Sequence, residues 1–222
     1  MVEVGPGPGG LTRALLDSAA ASVTVIEVDD RAIAIVREMA QQEGGRLHVV
    51  AGDALRMDLT ALVPEPRHIV ANLPYNIASP LLVAWLRQGN AWERLTLMFQ
   101  QEVAERICAA PGTGAYGRLS VLAQWVAEVD IMVRLPPDAF VPPPKVWSAV
   151  VGIAPHADQP SAALFSQMEK LTAAAFGQRR KMLRGSLKPL GGQALLDRAG
   201  IAAERRAETL SVAEFDRLVR LL

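Results

Sequence analysis

Apolar positions in the first hundred residues follow two alternating rhythms. Short β-rich runs at Val2–Val4, Val23–Val28, Leu47–Val50 and His68–Ala71 are separated by stretches with helical spacing, one from about Leu11 and another from Arg31. Short apolar runs bounded by turn residues read as buried strands, and the longer periodic stretches read as helices. Their strict alternation predicts an α/β fold, a Rossmann-like parallel sheet with helices on both faces and ligands at the carboxyl ends of the strands. Further on, 80–88 predicts a helix with Leu81, Leu82, Trp85 and Leu86 on one face, and 95–99 a strand ahead of a helix starting near Gln101.

Two more β-rich runs, 128–134 and 146–153, flank the proline-dense segment 136–144 and suit a hairpin closing the sheet. Segment 155–161 has linker composition, and the remainder reads as helix, with a capping-box pattern at Ser211-Val212-Ala213-Glu214. The expected organisation is a larger domain over 1–157 and a small helical domain over 158–222.

Composition narrows this picture a little. The chain has 222 residues, half of them hydrophobic, enough to bury a full core. No run of eighteen apolar residues occurs, so no membrane span is expected. The opening Met1-Val2-Glu3-Val4-Gly5 lacks a basic start and a small-residue cleavage site, which makes the cytoplasm the expected compartment. Cys108 is the one cysteine and is expected to be buried packing; with it, the scattered His48, His68 and His156 offer no zinc spacing, so no metal is expected. The zero net charge conceals a split: residues 1–162 carry 12 basic against 17 acidic side chains, and residues 163–222 carry 11 against 6. The basic end is the candidate contact for a polyanion.

The segment Glu3-Val4-Gly5-Pro6-Gly7-Pro8-Gly9-Gly10 joins the first strand to the first helix, where glycine allows a tight turn and close approach to a ligand. Gly5, Gly7 and Gly10 also satisfy a dinucleotide fingerprint, so a nicotinamide enzyme is a competing reading. Glu27, at the end of the second strand, can accept hydrogen bonds from both hydroxyls of a ribose, a feature both classes share. Glu3, two positions before the first glycine, and Gly52-Asp53-Ala54 after the third strand favour S-adenosylmethionine. Asp53 can accept from an adenine amine, and Glu3 can orient the loop or meet the methionine ammonium. Each also has a plainer reading, Glu3 as a partner of loop amides and Asp53 as a turn residue.

The strongest motif is Asn72-Leu73-Pro74-Tyr75-Asn76-Ile77, after the fourth strand. The N6 amine of adenine is a poor nucleophile because its lone pair is delocalised into the ring. The Asn72 side-chain oxygen and the Leu73 carbonyl, held by the turn before Pro74, can accept both amine hydrogens and aim the nitrogen at a methyl donor. Catalysis is then mainly positioning. Tyr75 supplies a face for an unstacked base. The plain alternative is a turn in which Asn72 caps a helix and Tyr75 packs.

The hexapeptide resembles that of ribosomal RNA adenine dimethyltransferases. The segments 99–106, Tyr116-Gly117-Arg118-Leu119-Ser120, Phe140-Val141-Pro142-Pro143-Pro144-Lys145-Val146 and Phe176-Gly177-Gln178-Arg179-Arg180-Lys181 are similar to that family's patterns in the same order. The resemblance is greatest to the small-subunit (16S) type, which modifies two neighbouring adenosines near the rRNA 3′ end. It implies a catalytic domain over 1–157 that binds S-adenosylmethionine through Glu3, Gly5, Gly7, Gly9, Glu27, Asp53, Ala54 and Asn72, and an RNA-contacting domain over 158–222. It also implies that Phe140 forms the second aromatic wall opposite Tyr75, which suits a phenylalanine held rigid and exposed in a polyproline-like loop.

Arg106, Arg118 and Lys145 are candidate phosphate contacts, as are Arg179, Arg180, Lys181 and Arg184 in the run 178–188, which has five cations and no acid. Small-subunit rRNA, or the pre-30S particle, is the expected partner of a monomeric enzyme. Members of the family carry some tens of residues before the glycine motif, including a Gln-Asn-Phe-Leu-like element over the cofactor. This sequence starts within the first strand, so weaker cofactor binding than in a full-length relative is the expectation. Competing readings are an adenine methyltransferase of large-subunit rRNA or DNA, and a non-catalytic ribosome-assembly factor. No hydride-transfer constellation accompanies the glycines, which disfavours the nicotinamide enzyme.

Overall fold

A computed structural model describes residues 1–178 and 180–222, the side chains of Tyr75 and Asn76 apart. Its first half alternates as the periodicity predicts: β1 (Val2–Val4), α1 (Gly10–Leu16), β2 (Val23–Glu27), α2 (Asp30–Gln42), β3 (Leu47–Ala51) and β4 (His68–Asn72). There follow α3 (Tyr75–Leu86), β5 (Arg94–Gln100), α4 (Gln101–Ile107), α5 (Arg118–Val126), β6 (Ala127–Leu135) and β7 (Ser148–Pro155). The chain ends in α6 (Ala162–Phe176), α7 (Leu183–Ser186), α8 (Gly192–Ala199) and α9 (Val212–Val219). The strands form one sheet in the order β3-β2-β1-β4-β5-β7-β6. Neighbours among β3, β2, β1, β4 and β5 are parallel, while β7 runs antiparallel to β5 and β6 antiparallel to β7.

Helices cover both faces because the strands alternate between two apolar sets. Val23, Val25 and Leu47 pack with Leu15, Leu16 and Val36 of α1 and α2. Val2, Val4, Ile26, Ile69, Leu97 and Val151 belong to a larger cluster on the other face, which Leu81, Leu82, Trp85 and Leu86 of α3 also join. The cluster continues through Phe165, Met168 and Leu171 of α6 to Leu195, Leu196, Phe215 and Leu218.

Two elements start more than one residue away from where the pattern predicts. α3 starts at Tyr75 rather than at Pro80, because Pro74, with φ −55°, supplies the entry to the helix. Pro80 therefore lies inside it and forgoes one intrahelical hydrogen bond. The second hairpin strand starts at Ser148 rather than Val146, since the proline-rich segment still governs 146–147. Met132 bulges out of β6 between Ile131 and Val133, bending this outer strand. Ser211 accepts from Glu214 N at 3.2 Å while Glu214 accepts from Ser211 N at 2.8 Å, the capping box that the pattern predicts. Cys108 is half-buried, and burial first, then Asp130, pushes its thiol up to about 11, so it stays protonated near neutrality.

The continuous cluster predicts that the last helices unfold with the sheet. Phe215→Ala removes a fully buried ring that stacks on Phe176 at 5.6 Å. It should cost about 3–5 kcal/mol and leave a single denaturant transition by both tryptophan fluorescence and circular dichroism. Separate transitions for the two probes would contradict that coupling.

Candidate active site at the strand-order reversal

From β1 the chain steps outward to β2 and β3, then returns to β4 on the opposite flank of β1. Loops leaving β1 and β4 therefore diverge and open a crevice at the carboxyl edge. Backbone pairing lines up the candidate residues there. Gly52 N donates to Glu27 O at 2.8 Å and Gly5 N donates to Ile26 O at 2.9 Å. Glu3 pairs with Val70, and continuing that register two residues brings Gly5 level with Asn72. Gly52, Glu27, Gly5 and Asn72 thus form a row across four adjacent strands, about 14 Å long at ordinary strand spacing.

Gly5, Gly7 and Gly9 have φ of +72°, +53° and +84°, conformations that side-chain-bearing residues adopt only with strain. A Cβ at Gly5 or Gly7 would meet nothing within 4 Å, so both backbones face open space. A Cβ at Gly9 would sit 2.6 Å from Met39 Cε, so this glycine lets the start of α1 pack on α2. The Glu27 carboxylate ties the turn to β2: Oε1 accepts from Val28 N at 2.7 Å and Asp29 N at 3.0 Å, and Oε2 from Gly7 N at 3.3 Å. The long Gly7 contact is the one an incoming donor displaces most cheaply.

Glu3 is 1% exposed. It alternates with Val2 and Val4, so its side chain meets α1, where Thr12 Oγ1 donates to its Oε2 at 2.7 Å. This bond closes the base of the glycine turn. Burial raises the Glu3 carboxyl to about 7; the Thr12 bond pulls it down and the nearby Glu27 charge pushes it up. Asp53 is exposed and accepts from Leu55 N at 2.9 Å through Oδ1, the turn role considered above. Among the described residues nothing bonds its second oxygen, so the turn role leaves an acceptor in hand. Ala54 is half-buried behind it.

Asn72 is the exposed last residue of β4, Leu73 is buried and anchors the turn, and Pro74 is exposed. The entry to α3 is made at Pro74 with no side-chain cap, so Asn72 does not take the capping role that the plain reading gave it. Tyr75 is the first residue of α3, but its side chain lies outside the described residues, so the wall expected there is not described. Phe140 is half-buried in extended backbone, φ −125° and ψ 151°. Its loop leaves β6 at Leu135, which pairs with Ser148, itself opposite Gln100 at the end of β5. Phe140 and Asn72 therefore share the carboxyl edge.

Packing relates several of the candidate cations to one another. Ser120 Oγ donates to Arg106 O at 2.5 Å, and Gln124 Nε2 to Ile107 O and Ala109 O, both at 2.9 Å. α5 thus runs beside α4 in the same direction, and Arg118 in its first turn shares Glu169 with Arg87, the residue that caps the end of α3. The edge-on contact of Tyr116 with Phe176, 6.1 Å between centroids, brings the turn after α6 alongside. Arg180 and Lys181 are exposed on that turn, and Lys145 on the proline loop. Arg106 pairs with Glu102 at 2.6 Å, Arg118 with Glu169 at 3.5 Å and Arg184 with Glu204 at 3.6 Å. Arg179 lies outside the described residues.

Sequence reasoning missed Thr12, whose role depends on a contact nine residues away, and the exposed apolar residues Val28 and Leu55 beside Glu27 and Asp53. Val28 directly after Glu27 and Leu55 two residues after Asp53 were the available signal.

A glycine turn after β1, a carboxylate ending β2 and an antiparallel β7 beside β5 define a methyltransferase of the Rossmann-like class. The chain belongs to the ribosomal RNA adenine dimethylase family, whose model matches residues 1–222. It is 64% identical over 221 residues to ribosomal RNA small subunit methyltransferase A of Gluconobacter oxydans, covering all of this chain and 73% of that one. Identity to the protein of the same name from Paramagnetospirillum magneticum is 54% over 223 residues, covering all of this chain and 79% of the relative. Among solved structures it is similar to a dimethyladenosine transferase from Plasmodium falciparum (TM-score 0.81, 29% identity, 98% of this chain and 87% of that one). It is also similar to the 23S rRNA methyltransferase ErmE (TM-score 0.69, 28% identity, 100% and 89%).

The raised Glu3 value sets a pH dependence. An acid raised on folding favours the folded state below its ordinary range, near 4.5, and that contribution is lost as pH rises through about 7. Glu3→Gln keeps an acceptor for Thr12 and cannot ionise. Wild-type urea midpoints should therefore fall relative to Glu3→Gln between about pH 4.5 and about pH 7 and run parallel above. A gap independent of pH would show that the carboxyl titrates normally.

Proposed function

We propose that this protein transfers methyl groups from S-adenosylmethionine to N6 of two adjacent adenosines of small-subunit (16S) rRNA during ribosome biogenesis. The observation that carries the reading is the row of Gly52, Glu27, Gly5 and Asn72 at the carboxyl edge. The 64% identity along the whole chain to a small-subunit methyltransferase supports 16S over 23S rRNA, since ErmE is 28% identical.

The residues present fit the cofactor. The open faces of Gly5 and Gly7 leave room for its backbone approach, Glu27 takes the ribose hydroxyls by exchanging its long Gly7 bond, and the second oxygen of Asp53 takes the adenine amine. Ala54 and the exposed Val28 and Leu55 offer apolar contact to the adenine ring. Glu3 holds the turn through Thr12 rather than touching solvent. Bound there, S-adenosylmethionine supplies an electrophilic methyl group on sulfur.

The protein's own task is to present the amine. Asn72 Oδ1 and the Leu73 carbonyl accept its two hydrogens, which draws the nitrogen lone pair out of the ring and fixes its direction, while Tyr75 and Phe140 hold the base between two aromatic faces. Arg106, Arg118, Lys145, Arg180, Lys181 and Arg184, with Arg179, supply phosphate contacts that orient the RNA, so residues 1–157 carry catalysis and 158–222 much of the RNA affinity.

Labelled S-adenosylmethionine, incubated with unmethylated small ribosomal subunits, should label two adjacent adenosines at N6. Label on large-subunit RNA, or on neither, overturns the reading. Asn72→Ala should lower kcat about 100-fold or more, the order seen when a group acting at the reacting atom is removed, with RNA affinity retained. Replacing Arg180 and Lys181 by alanine should weaken RNA binding at low salt and reduce the slope of log affinity against log salt by about two.

A further inference from the structure

We propose that Trp147 forms a second base-binding position beside the acceptor pocket, stacking on an unpaired nucleobase that flanks the target adenosine. The inference rests on the rRNA reading above and adds a substrate contact to it.

Each of the other three tryptophans has a place inside the protein. Trp85 is 2% exposed in α3. Trp92 is 1% exposed and donates Nε1–H to Gln88 at 2.6 Å. Trp125 stacks on Phe165 at 6.0 Å and donates to Asp216 at 2.9 Å. Trp147 is 48% exposed, and among the described residues its indole has neither an aromatic neighbour nor a hydrogen bond. The exposed part of the indole therefore offers an unoccupied aromatic face for stacking.

The sheet register shows where this indole sits. Asn72 pairs with Met98, and Met98 with Val150, so Trp147 is two strands across and three residues further toward the carboxyl edge. At ordinary spacings its Cα is about 14 Å from that of Asn72, close enough for a base near the one in the pocket. Its backbone is pinned, since Trp147 O accepts from Gln101 N at 2.9 Å, so only the two side-chain torsions of the indole remain to be fixed on binding. The same loop carries Phe140, the exposed cation Lys145 and the exposed Val141 and Val146. An aromatic face beside a cation, continuous with the acceptor site, fits single-stranded nucleic acid: the base on the ring and its phosphate on the ammonium. With two adjacent target adenosines, each reacting base has the other as an immediate neighbour, and a strand opened to admit one presents the other as this occupant.

The test is steady-state methylation of unmethylated small ribosomal subunits by the wild-type protein and by Trp147→Ala, Trp147→Phe and Trp147→Leu. Trp147→Ala should raise KM for the subunit about tenfold, the order of one lost base stack, with kcat and S-adenosylmethionine affinity held within about twofold. Trp147→Phe should restore most of the loss and Trp147→Leu little of it. Indole fluorescence should also be quenched by the subunits in the wild type and much less in Trp147→Phe. Wild-type KM in Trp147→Ala overturns the proposal. Equal rescue by leucine and phenylalanine overturns stacking in favour of plain apolar contact, as with a ribosomal protein. Failure of the wild type to methylate subunits at all would overturn the functional reading together with this one, and so differs from failure of the Trp147 variants alone.

Discussion

Parallel pairing of β1 with β2 on one flank and β4 on the other decides where chemistry can occur in this protein. Each strand of such a pair ends at the same edge, so the turns that follow must gather there. Because the chain leaves β1 in one direction and returns to β4 from the other, the turns part rather than stack. The glycine turn and the Asn72-Leu73-Pro74 turn become opposite walls of one crevice through backbone hydrogen bonding alone, before any side chain contributes.

The walls are stiffened by carboxylates rather than by bulk. Glu27 spans three backbone N–H groups at the end of β2. Glu3, buried beneath the turn, is held by one threonine hydroxyl. Glycine makes the turn possible, but a turn of glycines is entropically expensive to hold. The two acids answer that cost from opposite sides. Burying Glu3 is unfavourable for its charge, and the rise of its carboxyl to about 7 is the measure of that conflict.

The basic C-terminal helices are joined to this arrangement through apolar packing. Phe165, Met168 and Leu171 continue the cluster that underlies α3 and β5, and Phe176 meets both Tyr116 and Phe215. The turn carrying Arg180 and Lys181 thereby stands at a set place relative to Arg118 and the crevice.

Alternating periodicities and turn residues were enough to specify an α/β sheet, its hairpin and the extents of its strands to within two residues, since burial on two faces imposes those patterns locally. The glycine turn, Glu27, Gly52-Asp53 and Asn72-Leu73-Pro74 were legible for the same reason: each is a contiguous segment whose chemistry is written in neighbouring residues. Tertiary structure alone decided that Thr12 partners Glu3, that Met39 lies under Gly9, that α3 starts five residues early and that Trp147 stays in water beside the crevice. These depend on which residues meet across gaps in the chain. Meeting is set by strand order and packing, which no local pattern encodes.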